Sequence, residues 1–156
     1  MNYLPYWLEV AQGLLTPTIA IITTYVAWRQ WRATQLKMKM ERYDRRLRIY
    51  QEARRFILEV TGDLRPAFPL IREFLVATTE ADFLYPTEVR KYLDELANRA
   101  IRLLWANNEY RDCTQYLPQG YDHQKVCAVI HEQTKWFLDQ PNAAVEKFKP
   151  FLNIAK

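Results

Sequence analysis

The sequence predicts an all-α chain, and three observations predict it. Its 156 residues include three glycines and no serine. A β-rich fold needs many turns with positive φ, and this composition supplies almost none. Long stretches without Gly or Pro carry apolar residues at spacings of three and four, the period of a helix face. The length suits one domain-size unit, and without Gly/Ser linkers there is no loose tether between domains. The same gaps exclude a serine nucleophile and argue against a Gly-rich phosphate loop.

The first element is set by charge position. Residues 1–28 hold one charged side chain, Glu9, and Val10–Trp28 is a stretch of nineteen residues with none. About 20 residues of helix cross a bilayer core. Tyr6 and Trp7 lie at one end of the stretch, and Tyr25, Trp28 and Trp31 at the other, where headgroup-level aromatic belts occur. Threonine hydroxyls can bond to carbonyls one turn back, and Pro17 should kink the helix. The expectation is an uncleaved N-terminal transmembrane helix, with residues 1–30 as the anchor and the span at about 10–28. Its rivals are a helix buried in a soluble bundle and one lying in the membrane interface.

Residues 29–56 carry ten Lys/Arg against Glu41, Asp44 and Glu52, while the whole chain has a formal charge of +4. By the positive-inside rule residues 29–156 are cytoplasmic and the N-terminus is outside. Cys113 and Cys127 are then expected as reduced thiols. Arg29, Arg32, Lys37 and Lys39 are placed for anionic lipid headgroups. Farther along, acids interleave with Arg45, Arg48 and Arg55, which favours a solvated face over nucleic acid.

No Gly or Pro falls between Trp28 and Thr61. The anchor should therefore continue into a basic amphipathic, coiled-coil-like linker helix over residues 31–62. Leu36, Met40, Tyr43, Leu47, Tyr50 and Ile57 make a heptad-like stripe for self-association or core packing. Ile49, Ala53, Phe56 and Val60 make a second. Residues 63–156 are expected as a cytosolic helical bundle. Its first helix runs from about Pro69 to Thr78, and Ala81–Tyr85 is a connection. The next helix opens with Pro86 at its first position and extends toward Leu117, with Asn107-Asn108 as its weak point. Pro118-Gln119-Gly120 is a turn, and Asp122 caps a helix to about Gln140. Pro141 opens a last short helix.

The element Tyr43-Asp44-Arg45-Arg46-Leu47-Arg48-Ile49-Tyr50 follows an apolar segment and a Trp28-Arg29-Gln30-Trp31-Arg32 flank. Over about residues 15–60 this resembles small bacterial single-pass inner-membrane proteins with a basic juxtamembrane helix, a set to which no function is assigned. The resemblance implies a bacterial source and an inner-membrane location, and it carries no activity.

Candidate chemistry is sparse. His123, Cys127 and His131 recur every four residues on one helix face, and adjacent pairs have metal-ligand spacing. His123 and His131 lie about 12 Å apart along the axis, so they cannot share one ion with Cys127 on an intact helix. Cys113 with His123 or His131 is the formal thiol–imidazole option. Asp94, Glu95, Glu109 and Asp112 read as solvated helix positions. The expectation is a scaffold, adaptor or regulatory protein with no catalytic activity and no cofactor. Its partners are anionic lipid and a second copy or another membrane or cytosolic protein. The alternatives are a soluble all-helical protein holding nucleic acid or an acidic partner on its basic helix, and a thiol or metal enzyme.

Overall fold

The computed structural model describes residues 6–112 and 118–152, with side chains given for Leu15 and from Pro17 onward. Over these residues the chain is all-α: helices alternate with short connections and no strand occurs. The order is α1 (Tyr6–Asp63), α2 (Phe68–Ala77), the one-turn α3 (Ala81–Leu84), α4 (Thr87–Glu109), α5 (His123–Phe148) and a closing 3-10 turn (Lys149–Phe151). By its internal packing the chain divides into two units, Met1–Glu41 and Arg42–Lys156.

The first unit is the N-terminal part of α1. Among the described residues, no helix is long and apolar enough to cross a membrane. The reason lies in the composition of the described stretch. Pro17, Thr18, Thr23 and Thr24 dilute the apolar residues, and Arg29 and Arg32 follow within a turn. Tyr6, Trp7 and the side chains of Val10–Leu14, which open the expected span, lie outside the described side chains.

The second unit begins about twenty residues earlier than the expected bundle. Ile49, Ala53, Phe56, Ile57 and Val60 recur at helical spacing and are all buried, each at most 2 % exposed. Residues 42–63 are therefore the bundle's first helix rather than a linker to it. Phe56 stacks on Phe74 of α2 at 4.1 Å between ring centroids. Helix α4 supplies the central face, with Val89, Leu93, Leu96, Ala100 and Leu103 buried. Its main neighbour is α5, and α2 and α3 also pack on it. The alanines at 97 and 100 allow backbone to approach closely. From α5 come Phe137, Ala144 and Phe148, all at most 1 % exposed.

Four later boundaries differ from the expectation, whereas α1 ends at Asp63, one residue past the expected 62. The left-handed residue that closes it is Leu64, at φ 54°. Its N–H donates to the Val60 carbonyl, and its own carbonyl accepts from Asn107 Nδ2 at 3.0 Å, which holds an otherwise costly conformation. Ala81–Leu84 is a helical turn, closed by Tyr85 N–H on the Ala81 carbonyl. Tyr85 then turns extended, as the residue before Pro86 must, and Pro86 itself is the N-cap of α4 rather than its first residue. Helix α4 stops at Glu109, one residue past Asn107-Asn108, and the remainder of the expected helix includes residues 113–117, outside the described set. Finally α5 continues through Pro141 to Phe148. The ring removes one intrahelical bond, and Gln140 Nε2 donates to the Trp136 carbonyl in the turn this opens.

The Pro118–Gly120 turn and the Asp122 cap are as expected. Tyr121 N–H donates to the Pro118 carbonyl across Gly120, which sits at φ +88°. Asp122 Oδ1 accepts from Lys125 N–H at 3.0 Å.

Two buried tyrosines behave differently. The Tyr85 hydroxyl donates to the Arg46 carbonyl at 2.9 Å, whereas the buried Tyr92 hydroxyl has no partner among the described residues. Burial raises both phenols well above the usual tyrosine range; Arg46 offsets part of this at Tyr85, and the Glu95 charge adds to it at Tyr92. Tyr92→Phe should stabilise the bundle by about 1 kcal/mol, because it deletes an unpaired polar atom, and Tyr85→Phe should cost about as much. Urea denaturation of the two variants checks the opposite signs. Both groups are neutral when folded and ionise near pH 10.0 when unfolded. Their contribution is thus complete below pH 10 and falls away as pH rises above it, so the Tyr92→Phe chain should lose less stability there.

Candidate functional site

The described side chains of the first unit are exposed. Leu15, Ile19, Ile21, Ile22, Tyr25 and Val26 are between 44 % and 70 % exposed, and Trp28 and Trp31 are 52 % and 61 % exposed. The polar residues within this surface satisfy themselves. Thr23 Oγ1 donates to the Ile19 and Ala20 carbonyls at 2.9 and 3.0 Å, and Thr24 Oγ1 to the Ala20 carbonyl at 2.8 Å. A hydroxyl bonded one turn back needs no water, so Thr23 and Thr24 present mainly their methyl groups. The outward surface of this segment is hydrocarbon and aromatic, which suits an apolar medium.

The basic flank follows directly. Arg29, Arg32, Lys37 and Lys39 are all exposed. A shallow groove along α1 is lined by Arg29, Arg32, Ala33, Gln35, Leu36 and Lys39. At 100° per residue Lys37 falls away from the other three cations, so three of the four basic residues share a face. Arg32 also lies over the Trp28 ring, 5.7 Å from its centroid, joining the aromatic and basic belts. Tyr25 and Trp28 meet at 6.4 Å.

The heptad-like stripe does not have one fate. Leu36 and Met40 are 62 % and 58 % exposed, Tyr43, Leu47 and Tyr50 are half-buried, and Ile57 is fully buried. The second stripe, Ile49, Ala53, Phe56 and Val60, is the one that the bundle core takes up.

Within the motif that carries the resemblance, Arg46 fastens the bundle. Its Nε donates to the Leu84 carbonyl at 3.0 Å and its Nη1 to the Phe151 carbonyl at 3.4 Å, while its guanidinium lies 5.8 Å from the Tyr85 ring centroid. One side chain thus ties α1 to the end of α3 and to the closing turn. Arg45 reaches Glu80 at 3.9 Å. Sequence reading missed this role, because nothing local to Arg46 distinguishes it from the other arginines of the run. It also missed a clamp between α4 and α5. Arg99 lies 4.5 Å over Trp136 and donates to Glu95 and to the buried Gln133.

The thiol and imidazole candidates come together only in part. Cys127 Sγ is 3.4 Å from His123 Nε2, and His123 Nδ1 is 3.4 Å from the Tyr121 hydroxyl, which accepts from Arg111 N–H at 3.0 Å. His123 Nδ1 thus joins the 118–122 turn to the start of α5, while Nε2 faces Cys127 one turn along the same helix. His131 is exposed, and Cys113 lies outside the described residues. Among the described residues no group of three or more His, Cys, Asp or Glu could hold a metal ion. Asp94, Glu95, Glu109 and Asp112 are exposed. Glu95 pairs with Arg99 at 2.9 Å.

No protein family, curated protein or solved structure matches the chain.

Proposed function

We propose that this chain is a single-pass, membrane-anchored helical scaffold, adaptor or regulatory protein without catalytic activity of its own. Residues 10–28 are the span, the N-terminus is outside, and the bundle is in the cytoplasm of a bacterial cell. Its lipid partner is a bilayer with anionic headgroups, met by Arg29, Arg32, Lys37 and Lys39 below the Tyr25, Trp28 and Trp31 belt.

The observation that carries this reading is the outward surface of α1 from Leu15 to Trp31. Eight large apolar or aromatic side chains are exposed there, and the hydroxyls of Thr23 and Thr24 are spent on their own helix. In water this surface would need a cover. A bilayer accepts it as it stands. The bundle supplies the part that meets other molecules.

Membrane fractionation tests the reading. The full chain should remain with membranes after alkaline carbonate washing and leave them only in detergent. Release into the carbonate supernatant would sink it.

A further inference from the structure

We propose that residues 15–40 of α1 form a parallel, two-stranded coiled coil with a second copy of this chain. Leu15, Ile19, Ile22 and Val26 follow one another at intervals of four, three and four. The same alternation passes through Arg29 and continues at Ala33, Leu36 and Met40, so a single 3.5-residue register runs unbroken along this segment. An isolated helix has 3.6 residues per turn, and such a stripe drifts about 20° per heptad unless two helices wrap around each other. Lipid covers an apolar face of any period. It gives no reason for the repeat to continue past Arg29 and Arg32 into the charged region, where Leu36 and Met40 are 62 % and 58 % exposed.

The residue types fit two strands. Ile19 and Val26 fall at one set of seam positions and Leu15, Ile22 and Leu36 at the other, so the β-branched and leucine preference of parallel dimers is met at every one of these but Ile22. Arg29 is the one charged seam position. Such a residue costs stability and fixes register, and its long stem can carry the guanidinium out of the seam to headgroup level. Charge favours a second copy at the cytoplasmic end, because Lys39 of one chain falls opposite Asp44 of the other. Arg32 falls opposite Lys37, a like-charge pair that anionic headgroups would screen. Seven apolar seam side chains at roughly 60–120 Å² each give about 400–800 Å² per copy. Their flanking residues raise this toward the ~800 Å² per partner of a stable interface. The proposal takes from the anchor reading only the orientation, since two copies inserted with the same basic flank inside are parallel.

The experiment uses the full chain carrying Cys113→Ala and Cys127→Ala, with one new cysteine at a time. Leu36→Cys and Met40→Cys test the seam, and Thr34→Cys and Met38→Cys test the outer side. Isolated membranes are oxidised and the product is sized. A disulfide-linked species of twice the chain mass is expected at positions 36 and 40 and at least tenfold less of it at 34 and 38. Equal linking at all four positions, none at the seam, or a product of another mass overturns the proposal. Leu36→Glu with Met40→Glu should abolish linking through Ala33→Cys without changing the melting of the bundle, and persistence of that link would also overturn it. Carbonate release with the periodic pattern intact would sink the anchor and leave the dimer standing.

Discussion

Phe148→Ala should destabilise the bundle by about 3–5 kcal/mol, the range for truncating a large buried aromatic. Phe148 is 0 % exposed at the end of α5. Its ring meets Tyr50 at 5.4 Å, Tyr85 at 5.2 Å and Tyr92 at 6.4 Å between centroids. Those three tyrosines come from α1, from the residue after α3, and from α4, so one side chain fills the space where four parts of the bundle converge. The three rings around it cannot all shift into the void, because Tyr85 is held by its bond to the Arg46 carbonyl. Small domains are stable by about 5–15 kcal/mol, so a loss of this size removes a large share of the total. Urea denaturation of the full chain in detergent measures it. Leu138→Ala is the control: Leu138 lies on the same helix but is 59 % exposed, and its truncation should change stability by less than about 0.5 kcal/mol. Equal effects of the two substitutions would mean that Phe148 is not packed as described.

The route to Phe148 also shows what the sequence made legible. The helical class followed from composition and period, and the Pro118–Gly120 turn and Asp122 cap followed from local chemistry that needs no tertiary partner. The core stripe of α1 was visible as Ile49, Ala53, Phe56 and Val60, but its weight against the parallel stripe from Leu36 was not. Periodicity says that a face is apolar, and only the neighbours decide which face is covered. Pro141 misled for a related reason. A proline is a local signal for a helix start, yet Phe137, Ala144 and Phe148 are all buried, and keeping them on one continuous helix outweighs one lost backbone bond. Leu64 is the converse case: the helix ends within one residue of the expected 62, but no glycine marks the left-handed position, which Asn107 supports from α4. At the candidate site, the exposed aromatic residues and the basic run can be read from residue type alone. Arg46 was not, since its partners lie 38 and 105 residues away in sequence.

Ile19→Arg combined with Ile22→Arg should abolish membrane retention of the full chain. An arginine near the centre of a spanning helix costs about 2.5–3.5 kcal/mol on insertion scales, so two cost about 5–7 kcal/mol. The segment has little reserve to absorb that. Pro17 and four threonines at 16, 18, 23 and 24 already lower its apolar character, and Thr23 and Thr24 are tolerable only because their hydroxyls bond within the helix. Both isoleucines are more than half exposed, so the substitutions disturb no packing in the bundle and its thermal melting should be unchanged. That separates loss of anchoring from loss of fold. Ile19→Leu with Ile22→Leu keeps the surface apolar and should stay in the carbonate pellet. Retention of the double arginine variant at the parental level would mean that residues 10–28 do not cross a bilayer core, because that core discriminates between Ile and Arg far more strongly than between Ile and Leu.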